Sequence, residues 1–248
     1  MSLNNYIKPD WPAPKNIIAV TTTRACGNLI LEHNRKKLIH DLNLPNEPVW
    51  LHQVHGTTVI SVDSPTPALT ADAAISTKPN RICAVLTADC LPLLITNTQG
   101  SIVAAIHAGW RGLLAGVIDN TVNTLTAHTP ADTLLVWLGP AIGPKHFEVG
   151  PEVREAYLDR DKRYQTAFSA HAAQELRPDH QERGNNKFLA NLYQLATLAL
   201  NHLGISNNHI YGGNFCTHQD ADPENHRFYS YRRDQGVTGR MATLIYFR

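Results

Sequence analysis

Three short stretches carry side chains whose types could bind a metal or move a proton. LHQVHG supplies His52 and His55, TADC supplies Cys90, and IHAGWRG ends an apolar strand on His107 before breaking through Gly, Trp and Arg. A core strand gains nothing from a terminal imidazole unless something needs its nitrogen. LPLLITN and SIVAAIH form a natural hairpin about Thr98 and Gln99, with Gly100 closing the turn. That register sets Asn97 opposite Gly100, Leu94 opposite Val103 and Cys90 opposite His107. Opposed side chains stand about 4.5–5.5 Å apart at Cβ, a workable span for a thiolate and an imidazole sharing one metal. Pro92 disturbs the ladder and predicts a bulge or an edge at the Cys90 end.

His52 and His55 are three apart, so on a strand they face opposite sides and only one can join the pair. His55, beside Gly56 at the strand end, is the better placed. A His₂Cys set leaves the fourth tetrahedral position of zinc to water, as in a catalytic site. Such a water ionises near neutral pH and can attack an electrophilic carbon. The same Cys90 and His107 could instead act without metal, the imidazole lowering the thiol pKa of a nucleophile. Spacing alone leaves both open.

The elements that must position these groups are mostly strands. NIIAVTTTR, PVWLHQVH, TVISVDS, ICAVLTA, LPLLITN, SIVAAIH, TLLVWLG, HIYGG and MATLIYFR are rich in β-branched or aliphatic residues and bounded by Gly, Pro, Asn or Asp. Helical periods are fewer. Leu114, Val117, Ile118, Thr121, Val122 and Leu125 predict one helix from Gly112 to Ala127. A second is expected from Lys187 to Leu203, closed by Gly204, and a shorter one over Pro151–Leu158 with proline in the first turn. Strands precede and outnumber helices, and many are too close for helical crossovers. The fold class expected is α+β: mixed and antiparallel sheets covered by helices, as one domain over residues 1–248. The polar stretch from Asp159 to Asn186 reads as an excursion from that domain, and no internal repeat is evident.

Composition sets bounds on partners. With 22 basic and 21 acidic residues the net charge is +1, so no global field points to nucleic acid or an anionic membrane. No run of about 18 apolar residues and no signal-like start occur, and the cytoplasm is the expected address. Cys26, Cys83, Cys90 and Cys216 form no CxxC, and reduced thiols are expected.

WLHQVHG, TADCLPLLI, IHAGWRGLLAGV, WLGPAIGPKHFEVG and the tail CTHQ…FYSYRRDQGVTGRMA occur in that order. Together they closely resemble the YfiH family, whose members are also called laccase-domain proteins, peptidoglycan editing factors, polyphenol oxidases and purine nucleoside phosphorylases. The resemblance spans nearly the whole chain and implies a layered α/β/β/α sandwich. It implies a metal triad at His55, Cys90 and His107, in agreement with the hairpin reading. It further implies zinc-dependent phosphorolysis of adenosine, inosine, guanosine and methylthioadenosine, with deamination of adenosine. The alternatives under the same family names are release of mis-incorporated L-serine from a peptidoglycan precursor and a polyphenol oxidase-type activity.

Phosphorolysis needs a phosphate near the anomeric carbon, held by arginines or a helix N-terminus. The candidates are Arg24, Arg111, Arg232, Arg233 and Arg240, each weighed against being a plain surface arginine; Arg111, where HAGWRG opens a helix, is favoured. Cys216 is a further candidate for substrate contact, with buried packing slightly favoured. GPAIGP reads as a backbone-donor loop or a rigid turn, and Trp110 as a base-stacking ring or a core residue. A multicopper oxidase is disfavoured, because only two methionines and no His-x-His pair are present. Copper can still compete for a zinc site of nitrogen and sulfur donors. Three departures stand out against the family: a shortened loop after TTTR, an extended HQDADPENHRF loop, and Asn191 and Asn214 where aspartate is common.

Overall fold

A computed structural model describes residues 5–64, 69–170, 187–219 and 226–248. Among them the strands are β1 (Tyr6–Ile7), β2 (Ile17–Thr22), β3 (Val49–Trp50), β4 (Val59–Ser61), β5 (Ala73–Ser76), β6 (Cys83–Thr87) and β7 (Leu91–Asn97). They continue with β8 (Val103–Ala108), β9 (Leu134–Leu138), β10 (Glu148–Val149), β11 (Phe168–Ala170), β12 (Phe188–Ala190), β13 (Ile210–Gly212) and β14 (Met241–Phe247). The helices are α1 (Glu32–Leu42), α2 (Trp110–Ala115), α3 (Val117–Thr126), α4 (Pro151–Arg160) and α5 (Leu192–His202).

A five-stranded sheet in the order β1-β2-β14-β6-β3 faces a six-stranded sheet in the order β13-β9-β7-β8-β5-β4. Both are mixed: β3–β6, β4–β5 and β13–β9 run parallel and the other pairs antiparallel. Because side chains alternate along a strand, β7 sends Leu93 and Ile95 toward the helices and Leu94 toward the other sheet. One apolar layer packs α2–α5 on the six-stranded sheet, a second fills the space between sheets, and a third seats Leu38 of α1 on the outer face of the five-stranded sheet. This is the α/β/β/α sandwich.

The hairpin differs from expectation by two residues. Thr98 and Gln99 do form the turn and Gly100 takes φ +67°, but Asn97 binds the Ser101 amide through Oδ1 at 2.9 Å and pairing begins only at Thr96 opposite Val103. His107 therefore faces Pro92, and Cys90 lies just before β7. Pro92 sits inside a central strand rather than on an edge. Its position costs one ladder bond; the Gly139 amide still donates to the Pro92 carbonyl at 2.9 Å, and the Gly139 carbonyl accepts from the Tyr193 hydroxyl at 3.2 Å.

The one proton of that hydroxyl is shared with the Phe215 carbonyl at 2.9 Å, and its oxygen accepts from the Ala141 amide at 2.9 Å, pinning the GPAIGP segment to α5. Tyr193→Phe is expected to lower stability by about 1–3 kcal/mol. A thermal melt should show a drop of roughly 2–4 °C per kcal/mol for a domain of this size; an unchanged midpoint would show that the hydroxyl network contributes nothing.

The single helix predicted over Gly112–Ala127 is two, because Gly116 adopts φ +101° between α2 and α3. The predicted Lys187–Leu203 helix begins later, after β12, where Asn191 caps α5 by accepting from the Gln194 amide at 3.2 Å. Asparagine serves that role as well as aspartate does. Gly204 closes it with φ +86°, as expected. Of the Asp159–Asn186 excursion, Asp159 and Arg160 belong to α4, residues 162–167 form a 3₁₀ turn and β11 pairs with β12; residues 171–186 lie outside the described set, as do residues 220–225 of the extended loop.

Candidate metal centre and active-site cavity

The ends of the six-stranded sheet converge on one constellation. His107 lies near the C-terminal end of β8, Cys90 leads into β7, and His55 sits in the turn after LHQ with φ +60°. One donor atom from each lies within 4.8 Å of the other two, with Cys90 Sγ 3.7 Å from His55 Nε2. Zn–S and Zn–N bonds of about 2.3 and 2.0–2.1 Å at a tetrahedral angle give an S···N edge of roughly 3.6 Å, so the donor set fits a tetrahedral ion. Among the described residues this is the one group of three or more donors.

What holds the donors is Asp72, which the sequence reading missed. Fully buried before β5, it accepts from the Val54, His55 and Gly56 amides at 3.2, 2.9 and 2.7 Å. Asp72 Oδ1 also lies 2.8 Å from His107 Nδ1, which leaves Nε2 as the free imidazole nitrogen. A single carboxylate thus sets both the left-handed turn that presents His55 and the tautomer of His107. A sequence signal existed: Leu-Thr-Ala-Asp occurs at 69–72 and again at 86–89, each time just ahead of a buried strand.

Burial opposes charge on these groups, yet attraction wins. Against desolvation, the His107 imidazole and hydrogen bonds from both histidines bring the Cys90 thiol well below its usual range. Against the same penalty, Cys90 and Asp72 raise His107. Both shifts run toward the charged forms, and the lowered thiol favours the thiolate that a metal requires.

Asp89, the second of the repeated aspartates, is also a clasp. It accepts from the Thr217 hydroxyl at 2.5 Å, the Ser230 hydroxyl at 3.0 Å and the Arg232 amide at 2.6 Å, fastening the Thr217 and Ser230–Arg232 segments next to Cys90.

Gly109 has φ −68°, so conformation does not demand glycine; space does. A Cβ there would stand 2.7 Å from His55 Cδ2 and 3.0 Å from Cys90 Sγ. Gly109→Ala is expected to weaken zinc affinity roughly 10–100-fold, the range for disturbing a ligand's support, as read by competition with a chromophoric chelator. Unaltered affinity would show that the ring and thiol give way freely.

The donor group opens into a cavity of about 660 Å³, within the range for small-ligand sites. Arg111, Arg232 and Arg240 of the predicted arginines line it, as do Trp110 and, unpredicted, Arg35. Arg111 stands 4.4 Å from the Trp110 ring centroid. Arg24 does not reach the cavity; it is exposed and lies over Tyr229. Arg233 is spent on Asp234 and on the Thr217 and Phe228 carbonyls. His52 lines the cavity but is outside the donor group.

Cys216 is a packing residue away from the lining. Its Sγ accepts from the Gly143 amide at 3.2 Å, and Gly143 is glycine because a Cβ would meet that sulfur at 2.9 Å. The GPAIGP amides are all engaged, Ala141 by Tyr193, Ile142 by the Asp89 carbonyl and Gly143 by Cys216. The segment is therefore a rigid wall, with Ile142 on the cavity, and not a donor loop. Asn214 is exposed. All four cysteines are free thiols, and no helix among the described residues is long and apolar enough to cross a membrane.

Comparison with known proteins places this site in a family. Residues 28–248 match the family described as multi-copper polyphenol oxidoreductase laccase, and the chain belongs to that family, the YfiH proteins. It is 43% identical to an Escherichia coli protein named purine nucleoside phosphorylase YfiH, over 98% of this chain and 99% of that one. A Haemophilus influenzae protein named purine nucleoside phosphorylase is 45% identical over 97% and 98%. Among solved structures, a Neisseria meningitidis protein superposes with a TM-score of 0.82 at 36% identity, covering 98% of this chain and 99% of that one.

Proposed function

We propose that this protein is a zinc-dependent purine nucleoside phosphorylase that also deaminates adenosine. The observation that carries the reading is that the His55–Cys90–His107 group and several arginines open into one cavity of nucleoside size. The names of its full-length relatives support it. Zinc held by His55 Nε2, Cys90 Sγ and His107 would supply Lewis acidity and positive charge at that end of the cavity.

The chain's own residues do the rest. Arg111 and Arg232 flank the donor group, Arg111 two residues beyond Gly109 and Arg232 tied through its amide to Asp89 beside Cys90. They hold phosphate against the anomeric carbon and neutralise its charge. Ile142, Phe147 and Leu192 give an apolar wall for the purine. Asp72 keeps the His107 Nδ1 proton fixed. In phosphorolysis the C1′–N9 bond breaks, its electron pair and a proton end on the base, and a phosphate oxygen bonds C1′.

The test is metal analysis of the purified protein, then inosine and adenosine turnover with and without phosphate, before and after chelation. Phosphate-dependent release of base and ribose 1-phosphate, lost on chelation and restored by zinc, is expected. Absence of zinc together with no base release would overturn the reading.

A further inference from the structure

The cavity carries more positive charge than the proposed reaction uses. Arg35, Arg111, Arg232 and Arg240 all line it. None of the four has an ion-pair partner among the described residues, whereas Arg160, Arg163 and Arg233 are each paired with an aspartate. The one acid in the wall, Asp89, has its carboxylate filled by Thr217, Ser230 and the Arg232 amide. Guanidinium groups left without carboxylates in a concave site are the signature of an anionic ligand.

The four fall into two pairs on different supports. Arg111 and Arg232 belong to the segments around the donor group. Arg35 and Arg240 are both anchored on Leu29, a fully buried residue. Arg35 Nε donates to the Leu29 carbonyl at 2.7 Å, and the Leu29 amide donates to the Arg240 carbonyl at 3.0 Å. The Arg35 guanidinium lies 4.5 Å from the centroid of the Trp50 ring, and its two terminal nitrogens make no hydrogen bond among the described residues. Glu47 and Glu32 act on it only from beyond ion-pair distance; Glu32 is paired with Lys36. Arg240 commits Nη1 to the Thr238 and Gly239 carbonyls at 3.2 and 3.0 Å, and its other side-chain nitrogens make no hydrogen bond among the described residues. In the same wall, Thr87 has a buried hydroxyl without a partner among the described residues.

A purine nucleoside is neutral, and phosphorolysis brings one phosphate. We infer that Arg35 and Arg240 form a second anion subsite, separate from the Arg111–Arg232 pair, which binds a phosphate monoester carried by the substrate itself. The inference rests on the proposed phosphorolysis and names its substrate class as a nucleoside 5′-monophosphate. The step balances without any further reactant: inorganic phosphate bonds C1′, the C1′–N9 bond breaks, and the base leaves with a proton. The products are the free purine and ribose 1,5-bisphosphate.

The experiment titrates zinc-loaded protein, in phosphate-free buffer, with inosine and with inosine 5′-monophosphate. Turnover of each with inorganic phosphate is then followed by ³¹P NMR. The nucleotide is expected to bind roughly 10–100-fold more tightly than the nucleoside, the range for one or two charge-assisted hydrogen bonds. Two new sugar-phosphate resonances should appear. Arg35→Gln, Arg240→Gln and the double variant should bring that preference ratio toward one, while thermal midpoint and zinc content report that the protein is folded and loaded.

Equal affinity of the wild type for both ligands overturns the inference, as does a preference that survives in the double variant. An equal rise in the KM for inorganic phosphate would make the pair the co-substrate site and also overturn it. Nucleotide preference without phosphorolysis of either ligand would instead refute the proposed activity and leave the subsite standing.

Discussion

Cys90→Ala is expected to abolish zinc binding and turnover while leaving the fold intact. Removing a hydrogen-bond partner of a ligand costs about 10–100-fold in metal affinity, and removing the thiolate itself must cost more, because two imidazoles are left to hold the ion. The residue is only half-buried and precedes β7 rather than filling the core between layers, so little packing is lost. The metal-free protein should melt within a degree or two of the chelated wild type. A second arm separates metal chemistry from a bare cysteine nucleophile, for which the Cys90–His107 pair is also suited. Wild-type activity that vanishes with a chelator and returns with zinc establishes the metal. Activity that survives chelation but is destroyed by a thiol alkylator would establish the nucleophile and sink the zinc reading.

The donor triad was legible in the sequence even though the hairpin register was not. Asn97 lengthens the turn by binding Ser101, so the strands pair two residues out of the expected step. A shift of two preserves the face of every side chain, whereas a shift of one would have put Cys90 and His107 on opposite sides of the sheet. The ladder ends at Leu91 opposite Ala108, and just beyond it the absence of a side chain at Gly109 lets His55 and Cys90 approach.

Alternating and continuous apolar runs gave most of the sheet, but β5 escaped notice. Its Ala73 and Ala74 carry little strand propensity and are chosen for burial between neighbours. With it went Asp72, whose partners lie between 16 and 35 positions away. Arg35 was invisible for the same reason: on α1 it reads as one of several surface charges, and only the approach of Leu29 and Trp50 brings it to the cavity. Arg24 failed in reverse, since a conspicuous TTTR motif ends on a side chain that turns outward.

Asp72→Asn should therefore damage the site more than any change at an exposed cavity arginine. The carboxylate serves four donors, with Oδ1 facing the His55 amide and His107, and Oδ2 facing the Val54 and Gly56 amides. An amide has one acceptor oxygen, so whichever way it is turned its NH₂ meets N–H groups. In a fully buried position, each donor left without an acceptor costs about 1–3 kcal/mol, and a total loss of roughly 2–4 kcal/mol is expected on that basis.

Zinc affinity should fall as well, by about 10–100-fold, because the LHQVHG turn and the His107 tautomer both lose their anchor. Thermal melts of the metal-free protein read the first effect and chelator competition the second. Where Asp72→Asn does not fold, Asp72→Glu keeps the charge while displacing it, and should retain stability better than affinity. Both quantities unchanged in Asp72→Asn would mean that the His55 turn and the His107 ring are held by packing alone. The geometry argues otherwise: His55 is an exposed residue in a left-handed conformation, and three consecutive amides converging on one buried carboxylate are what that conformation is built around.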